Sequence, residues 1–402
     1  MRTAGIAVVA ALALLPGIAP PPRAQTALAE PGWTARHPVF AALPSERGIG
    51  EIEPVFAFHG AMPTGVTVSA RGRIFVNYPR WGDEVPFTVA ELRGGKEVAY
   101  PDVAINRADP QRPGATLVSV QSVVVDPADR LWILDTAAPS FAPPLAGGVK
   151  LVAVDLGTNK VVKAVILPPS VVLPSTYVND VRFDLRQGRA GVAYITDSST
   201  SGPGGIIVVD LDSGAAWRKL SGHASTSPDP AFVPVVEGET LVLCQPGQAP
   251  VPFRVASDGI ALSADGATLF YSPLSSRHLF SVPTALLRDR AAPAEVVARA
   301  VVDLGEKGAS DGLEADDQGR IYAGDYEHNS IRQRGTDGSW RTIAHDPRLL
   351  WPDTLAVARD GYLYFTVNQL QRQKQFHAGQ DLREKPYSLF RIRIGAGPVA
   401  LR

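Results

Sequence analysis

The stretch Ser257-Asp258-Gly-Ile-Ala-Leu262-Ser-Ala-Asp265-Gly266-Ala-Thr-Leu269-Phe-Tyr271 decides the fold. A polar residue leads a short apolar run, an Asp-Gly pair permits the positive φ of a tight turn, and a second apolar run returns. The same phrase recurs upstream as Thr64-Gly-Val-Thr-Val68 with Ile74-Phe-Val76, Gln121-Ser-Val-Val-Val125 with Leu131-Trp-Ile-Leu134, and Asn179-Asp-Val-Arg-Phe183 with Val192-Ala-Tyr-Ile195. Downstream it recurs as Asp311-Gly-Leu-Glu-Ala315 with Ile321-Tyr322, and Asp353-Thr-Leu-Ala-Val357 with Leu363-Tyr-Phe365. The gaps between lead residues are 57, 58, 79, 53 and 42. A hairpin at that period is too small for a domain and too large for a solenoid coil, so it reads as the inner half of a propeller blade. The expected fold is all-β, a six-bladed β-propeller.

A ring of blades must join its ends, because open sheet edges are costly. Glu51-Ile-Glu-Pro-Val-Phe-Ala-Phe58 and Tyr387-Ser-Leu-Phe-Arg-Ile-Arg-Ile394 are the strand-like runs at the two ends and are expected to share the closing blade. Gly148–Asp155 and Gly205–Asp210 read as outer strands of the second and third blades, and Pro283–Arg290 as a short helix. The long gap before Asp258 holds Ser/Gly/Pro-rich stretches at 199–205 and 223–230, expected to shape the channel mouth. Cys244 ends an apolar run, Thr240-Leu-Val-Leu-Cys244, and reads as a core residue with no intramolecular disulfide partner.

The N-terminus has Arg2, an apolar run from Ala4 to Leu15, and Ala27-Leu-Ala29 before Glu30. That is the pattern of a cleavable export signal over residues 1–29, cut before Glu30. It is followed by a lead-in segment over 30–50 and the propeller domain over 51–402. The expected location is secreted or periplasmic, with no membrane anchor in the mature protein. Beyond residue 29 the chain carries 37 basic and 40 acidic residues without a basic patch, which argues against a nucleic-acid partner.

In such a ring the lead residues Thr64, Gln121, Asn179, Asp258, Asp311 and Asp353 converge at one rim. Asn179, Asp258 and Asp311 together form an oxygen-rich set of the kind a hard divalent cation takes, Ca²⁺ most readily. Without a cation, neighbouring carboxylates repel and at least one holds a proton. The same residues also suit a structural role, accepting turn amides and knitting blades together. Asp325-Tyr-Glu-His328 follows an inner hairpin, and His328 is expected to reach the rim. There is no Gly-x-Ser-x-Gly elbow, P-loop or dinucleotide-binding turn.

Several stretches resemble the yellow/major royal jelly protein family in its bacterial, dopachrome tautomerase-related branch. They are Arg130–Thr136, Tyr177–Asp184, Ala193–Ser199 with Gly205–Asp210, Asp258–Gly266 with Ser272–Arg277, Glu327–Ile331, Trp351–Thr354 and Val367–Leu370. The resemblance spans roughly residues 50–395 and implies a six-bladed propeller acting on, or binding, a small polar or aromatic molecule. In a tautomerase version Asp311 or Asp258 is the catalytic base, with Asn179, Gln121, Thr64, Asp353 and His328 lining the substrate site. A more distant similarity is to metal-dependent lactonases of the gluconolactonase type. These would place the cation on Asn179, Asp258 and Asp311, but Thr64 stands where that family has a Glu. The third alternative is a non-catalytic binder of a small ligand or a protein.

Overall fold

The computed structural model describes residues 47–402. The predicted export signal, and residues 30–46 of the lead-in segment, lie outside the described residues. Six four-stranded antiparallel sheets follow one another along the chain. Their innermost strands are Val66–Val68, Val120–Val125, Val178–Asp184, Ser257–Leu262, Ser310–Ala315 and Pro352–Val357. Each packs against the next, and the last packs against the first, closing the ring. The chain is a six-bladed β-propeller.

Closure follows the sequence expectation. The sixth blade takes three strands from the C-terminal end, Pro352–Val357, Tyr362–Val367 and Tyr387–Arg393, and its outermost strand, Ile52–Phe58, from the N-terminal end. Ile52 opposes Ile392 and Phe58 opposes Tyr387, with a bulge between Pro54 and Phe56. Gly205–Asp210 and Lys150–Asp155 are the third strands of their blades. The short helix runs Thr284–Arg288, with Pro283 at its N-cap.

A recurrent irregularity decides what faces the channel. In five blades the inner strand shifts register near its start, for example between Val178 and Val181, Ser257 and Ile260, and Ser310 and Leu313. One extra residue in a strand moves the next residue of the same face from two positions on to three. The residue after the lead then abuts the neighbouring blade. A Cβ on Gly259 would sit 2.5 Å from the Asp311 carbonyl oxygen, and one on Gly312 would sit 2.4 Å from that of Asp353. Only glycine lets these backbones approach so closely.

The apolar core lies between blades. Trp132 stacks on Phe183 at 5.1 Å within a cluster that includes Leu134, Val181 and Ile207. Carboxylates at the ends of second strands hold the loops that lead into the inner strands. Asp135 accepts the N–H groups of Val118 and Ser119 and pairs with the buried Lys150 at 2.7 Å. Asp197 does the same with the N–H of Tyr177 and with Arg218.

The insertion before Asp258 forms two short hairpins, Val235–Val236 with Glu239–Thr240 and Val242–Leu243 with Val251–Pro252. Its Phe232 and Leu241 join Phe376, Tyr326 and Trp351 in one apolar cluster. Cys244 is half-buried rather than a core residue. Its strand belongs to this insertion and pairs through its backbone with Gln375 and Ala378, so one side stays open.

Candidate functional site

The structure brings Asn179, Asp258, Asp311 and Asp353 together from four consecutive blades, all nearly buried. Asn179 Nδ2 donates to Asp258 Oδ1 at 2.6 Å, and the Ser198 hydroxyl donates to Asp258 Oδ2 at 2.8 Å. Trp351 Nε1 donates to Asp311 Oδ2 at 2.7 Å. Asn368 Nδ2 donates to Asp353 Oδ2 at 2.6 Å. Gln121 joins by a different route: its Oε1 accepts the Tyr177 hydroxyl at 3.0 Å, and that hydroxyl accepts Trp81 Nε1 at 2.8 Å. Thr64 is fully buried and serves the scaffold, accepting Asn77 Nδ2 at 2.8 Å and reaching the Gln121 carbonyl.

Burial pushes all three lead carboxyls above the ordinary range, because a charge there loses its water. Asp258 and Asp353 are raised furthest, with the charge of Asp311 adding to the effect of burial on both. Asp258 shares a hydrogen bond with Asp311 that raises Asp258 and lowers Asp311. Asp258 and Asp311 are therefore a proton-sharing pair, with Asp311 steadied by the Trp351 indole. A proton-sharing pair of this kind can give a proton from one oxygen and take one on another. As arranged, Asn179 turns a donor toward Asp258, so a divalent cation would have to displace N–H and O–H donors. Among the described residues the three lead carboxyls do not form a set whose ligand oxygens lie within 4.8 Å of one another.

The group that does is Asp325, Glu327 and His328. It lines an open groove with Glu237, Arg332 and His345, and none of the lead residues lines that groove. His328 is thus kept from the channel rim, its ring bonded to Asp325 at 3.1 Å. Glu327 is already held by Nη2 and Nε of Arg277, at 2.6 and 2.8 Å, and by the N–H of Val235. That trio reads as an ion-pair network.

Several residues of the site carried no sequence signal. Trp81, Phe141 and Tyr177 cluster next to Gln121, with Phe141 stacked on Trp81 at 5.1 Å and on Tyr177 at 4.5 Å, and Trp81 6.4 Å from Tyr177. They come from the first, second and third blades, and no local pattern links them. Lys307 is fully buried, donates to the Gly308 carbonyl, and is pushed down to about 7 by burial despite the nearby charges of Asp325 and Asp258. Arg182 and Glu314 face the channel deeper down, three residues beyond Asn179 and Asp311. The bulge hid them, since simple alternation places the next channel-facing residue two positions on.

Residues 118–392 match the family described as "Major royal jelly protein". The chain belongs to that family. Relatives include Protein yellow of Drosophila erecta and of Drosophila melanogaster, each 29% identical over 248 residues, 57% of this chain and 42% of the relative. The chain thus spans less than half the length of these relatives. Among solved structures, a luciferin-regenerating enzyme matches with a TM-score of 0.52 at 11% identity, covering 88% of this chain and 99% of that one. A gluconolactonase from Xanthomonas campestris matches with a TM-score of 0.47 at 13% identity, covering 88% and 98%. At such identities the likeness concerns the propeller fold alone. The major royal jelly protein match includes five of the six lead residues and leaves Thr64 outside it.

Proposed function

We propose that this member of the major royal jelly protein family is an exported protein that takes a small polar or aromatic molecule at the channel mouth. Chemistry there would consist of proton transfer between the Asp258–Asp311 pair and the bound molecule. The observation that carries this is the pair itself: two buried carboxyls from neighbouring blades sharing one hydrogen bond, with Asn179 fixed beside them at 2.6 Å. The Trp81–Phe141–Tyr177 stack, tied to Gln121, offers flat faces for a ring.

In a tautomerase step, the Asp311 carboxylate removes a proton from carbon next to a carbonyl or quinone-imine, and the Asp258 carboxyl returns one to the oxygen or nitrogen. Net protonation of the pair is unchanged when Asp258 is refilled through the shared hydrogen bond. The test is incubation of the purified protein with dopachrome and, separately, with aldonolactones, each with and without Ca²⁺. Dopachrome turnover without added metal, lost in Asp311→Ala, supports the proposal. Lactone turnover that requires Ca²⁺ would replace it with the lactonase alternative. Saturable binding without turnover would leave a binder, and no binding of either class would refute the site.

A further inference from the structure

The channel has a second end. There, Thr67, Val124, Arg182, Glu314 and Ala356, each three residues beyond a lead residue, line a cavity of about 100 Å³. The C-terminal segment closes it from below: Pro398, Val399 and Ala400 form part of its wall. That segment is fastened across three blades. Asp317 N–H donates to the Gly397 carbonyl, Asp316 bridges Pro398, and Leu185 N–H donates to the Leu401 carbonyl while Leu401 is buried among third- and fourth-blade residues.

One polar group in this wall has no partner. Arg182 is more than nine-tenths buried, and its Nη1 donates to Asp180 at 2.9 Å and to the Val181 carbonyl at 2.8 Å. Its Nη2 donates to the Leu313 carbonyl at 2.7 Å and lies 3.4 Å from Glu314. Its Nε–H bonds to nothing. A buried donor left unsatisfied costs about 1–3 kcal/mol, so the position favours an acceptor from outside the chain. At the rim of the same cavity, the exposed Arg359 makes no hydrogen bond or ion pair with another described residue.

We propose that this cavity is a second binding site, separate from the carboxylate pair, and that it takes a small monocarboxylic acid with one oxygen on Arg182 Nε–H and Arg359 at its mouth. A cavity of about 100 Å³ accommodates a small acid such as acetate. A doubly charged tetrahedral anion is disfavoured because Glu314 lines the same space and Asp180 already pairs with Arg182. A carboxylate can sit opposite Glu314 only if the two share a proton. Glu314 is pushed up to about 6 by burial, against the pull of Arg182. The other charged groups around it are Asp180 beside Arg182, Asp126 and Asp129 of the second blade, and Arg359 of the sixth. Asp126 is neutralised by Arg130 and Asp129 accepts the Ala70 N–H. The strap residues at the cavity bring no charge. Binding therefore takes up a proton and weakens as pH rises through the Glu314 range.

The experiment is calorimetric titration of the full chain with sodium acetate at about pH 5 and about pH 8. Saturable binding is expected at the lower pH and at least a roughly tenfold loss at the higher. Arg359→Gln should weaken it several-fold, and the cavity-filling variants Ala356→Leu and Val399→Phe should abolish it, whichever of the two retains a cooperative melt. Asp258→Asn should leave it unchanged, which separates this site from the one at the other rim. No saturable binding at about pH 5, undiminished binding in a folded filling variant, or equal affinity at both pH values overturns the proposal. So does equal affinity for acetamide at the lower pH.

Discussion

Trp351 donates its indole N–H to Asp311 Oδ2 at 2.7 Å from a left-handed backbone, φ 64°, that a bulky residue rarely adopts. Its ring lies on Tyr326 at 4.1 Å and 9°, fully buried. Holding a tryptophan in that region costs about 1–2 kcal/mol, which the stack and the hydrogen bond offset. Trp351→Phe keeps the stack and removes the hydrogen bond. It should cost about 1–3 kcal/mol in denaturant unfolding. Because the indole holds the Asp311 pKa down, the acidic limb of any activity or binding profile should also move to higher pH.

Asp258 is raised by burial and by Asp311, so the folded protein binds a proton there that the unfolded chain has released. Stability from this proton is full below the ordinary carboxylate range and is lost as pH rises toward the folded value. Asp258→Asn keeps one acceptor oxygen, for Asn179, puts an amide donor in place of the other, and needs no proton. It should raise the melting temperature at about pH 8 by roughly 2 °C or more, with little gain at about pH 4. A gain of equal size at both pH values would contradict the assignment.

The closing blade depends on Tyr387–Arg393, whose Leu389 and Phe390 are buried on either side of the sheet. Deleting residues 386–402 should lower the melting temperature sharply, because it strips Ile52–Phe58 of its partner and removes the C-terminal strap as well. Leu389→Ala isolates the packing contribution and should cost about 2–5 kcal/mol. Melting like the full chain would mean the ring does not depend on this closure.

Gly312 lies where a Cβ would meet the Asp353 carbonyl oxygen at 2.4 Å and Leu355 Cδ1 at 3.0 Å. Gly312→Ala must push the fifth and sixth blades apart. The expected cost is about 1–3 kcal/mol. It should also weaken ligand binding at the upper rim, since Asp311 is the adjacent residue.

Lys150 and Asp135 form an ion pair with both side chains essentially without solvent contact. Lys150→Met strands the carboxylate and should cost about 3–5 kcal/mol in chemical unfolding. Removing both charges together, Lys150→Met with Asp135→Asn, should recover part of that loss.

Blade number, strand order and ring closure could be read along the chain because each is a local pattern. Asp265-Gly266 turns a hairpin wherever it stands, and the alternation of Tyr387–Ile394 marks a half-exposed strand without reference to its partner. The convergence of Asn179, Asp258, Asp311 and Asp353 followed from that ring geometry. What each does there did not, because a carboxyl's protonation is set by burial and by neighbours 40 to 80 residues away. Trp351 and Ser198 are assigned to Asp311 and Asp258 by three-dimensional proximity alone. The bulge at the inner strand of five blades is likewise a property of strand pairing. It put Arg182 and Glu314 into the channel at a spacing that strict alternation does not contain.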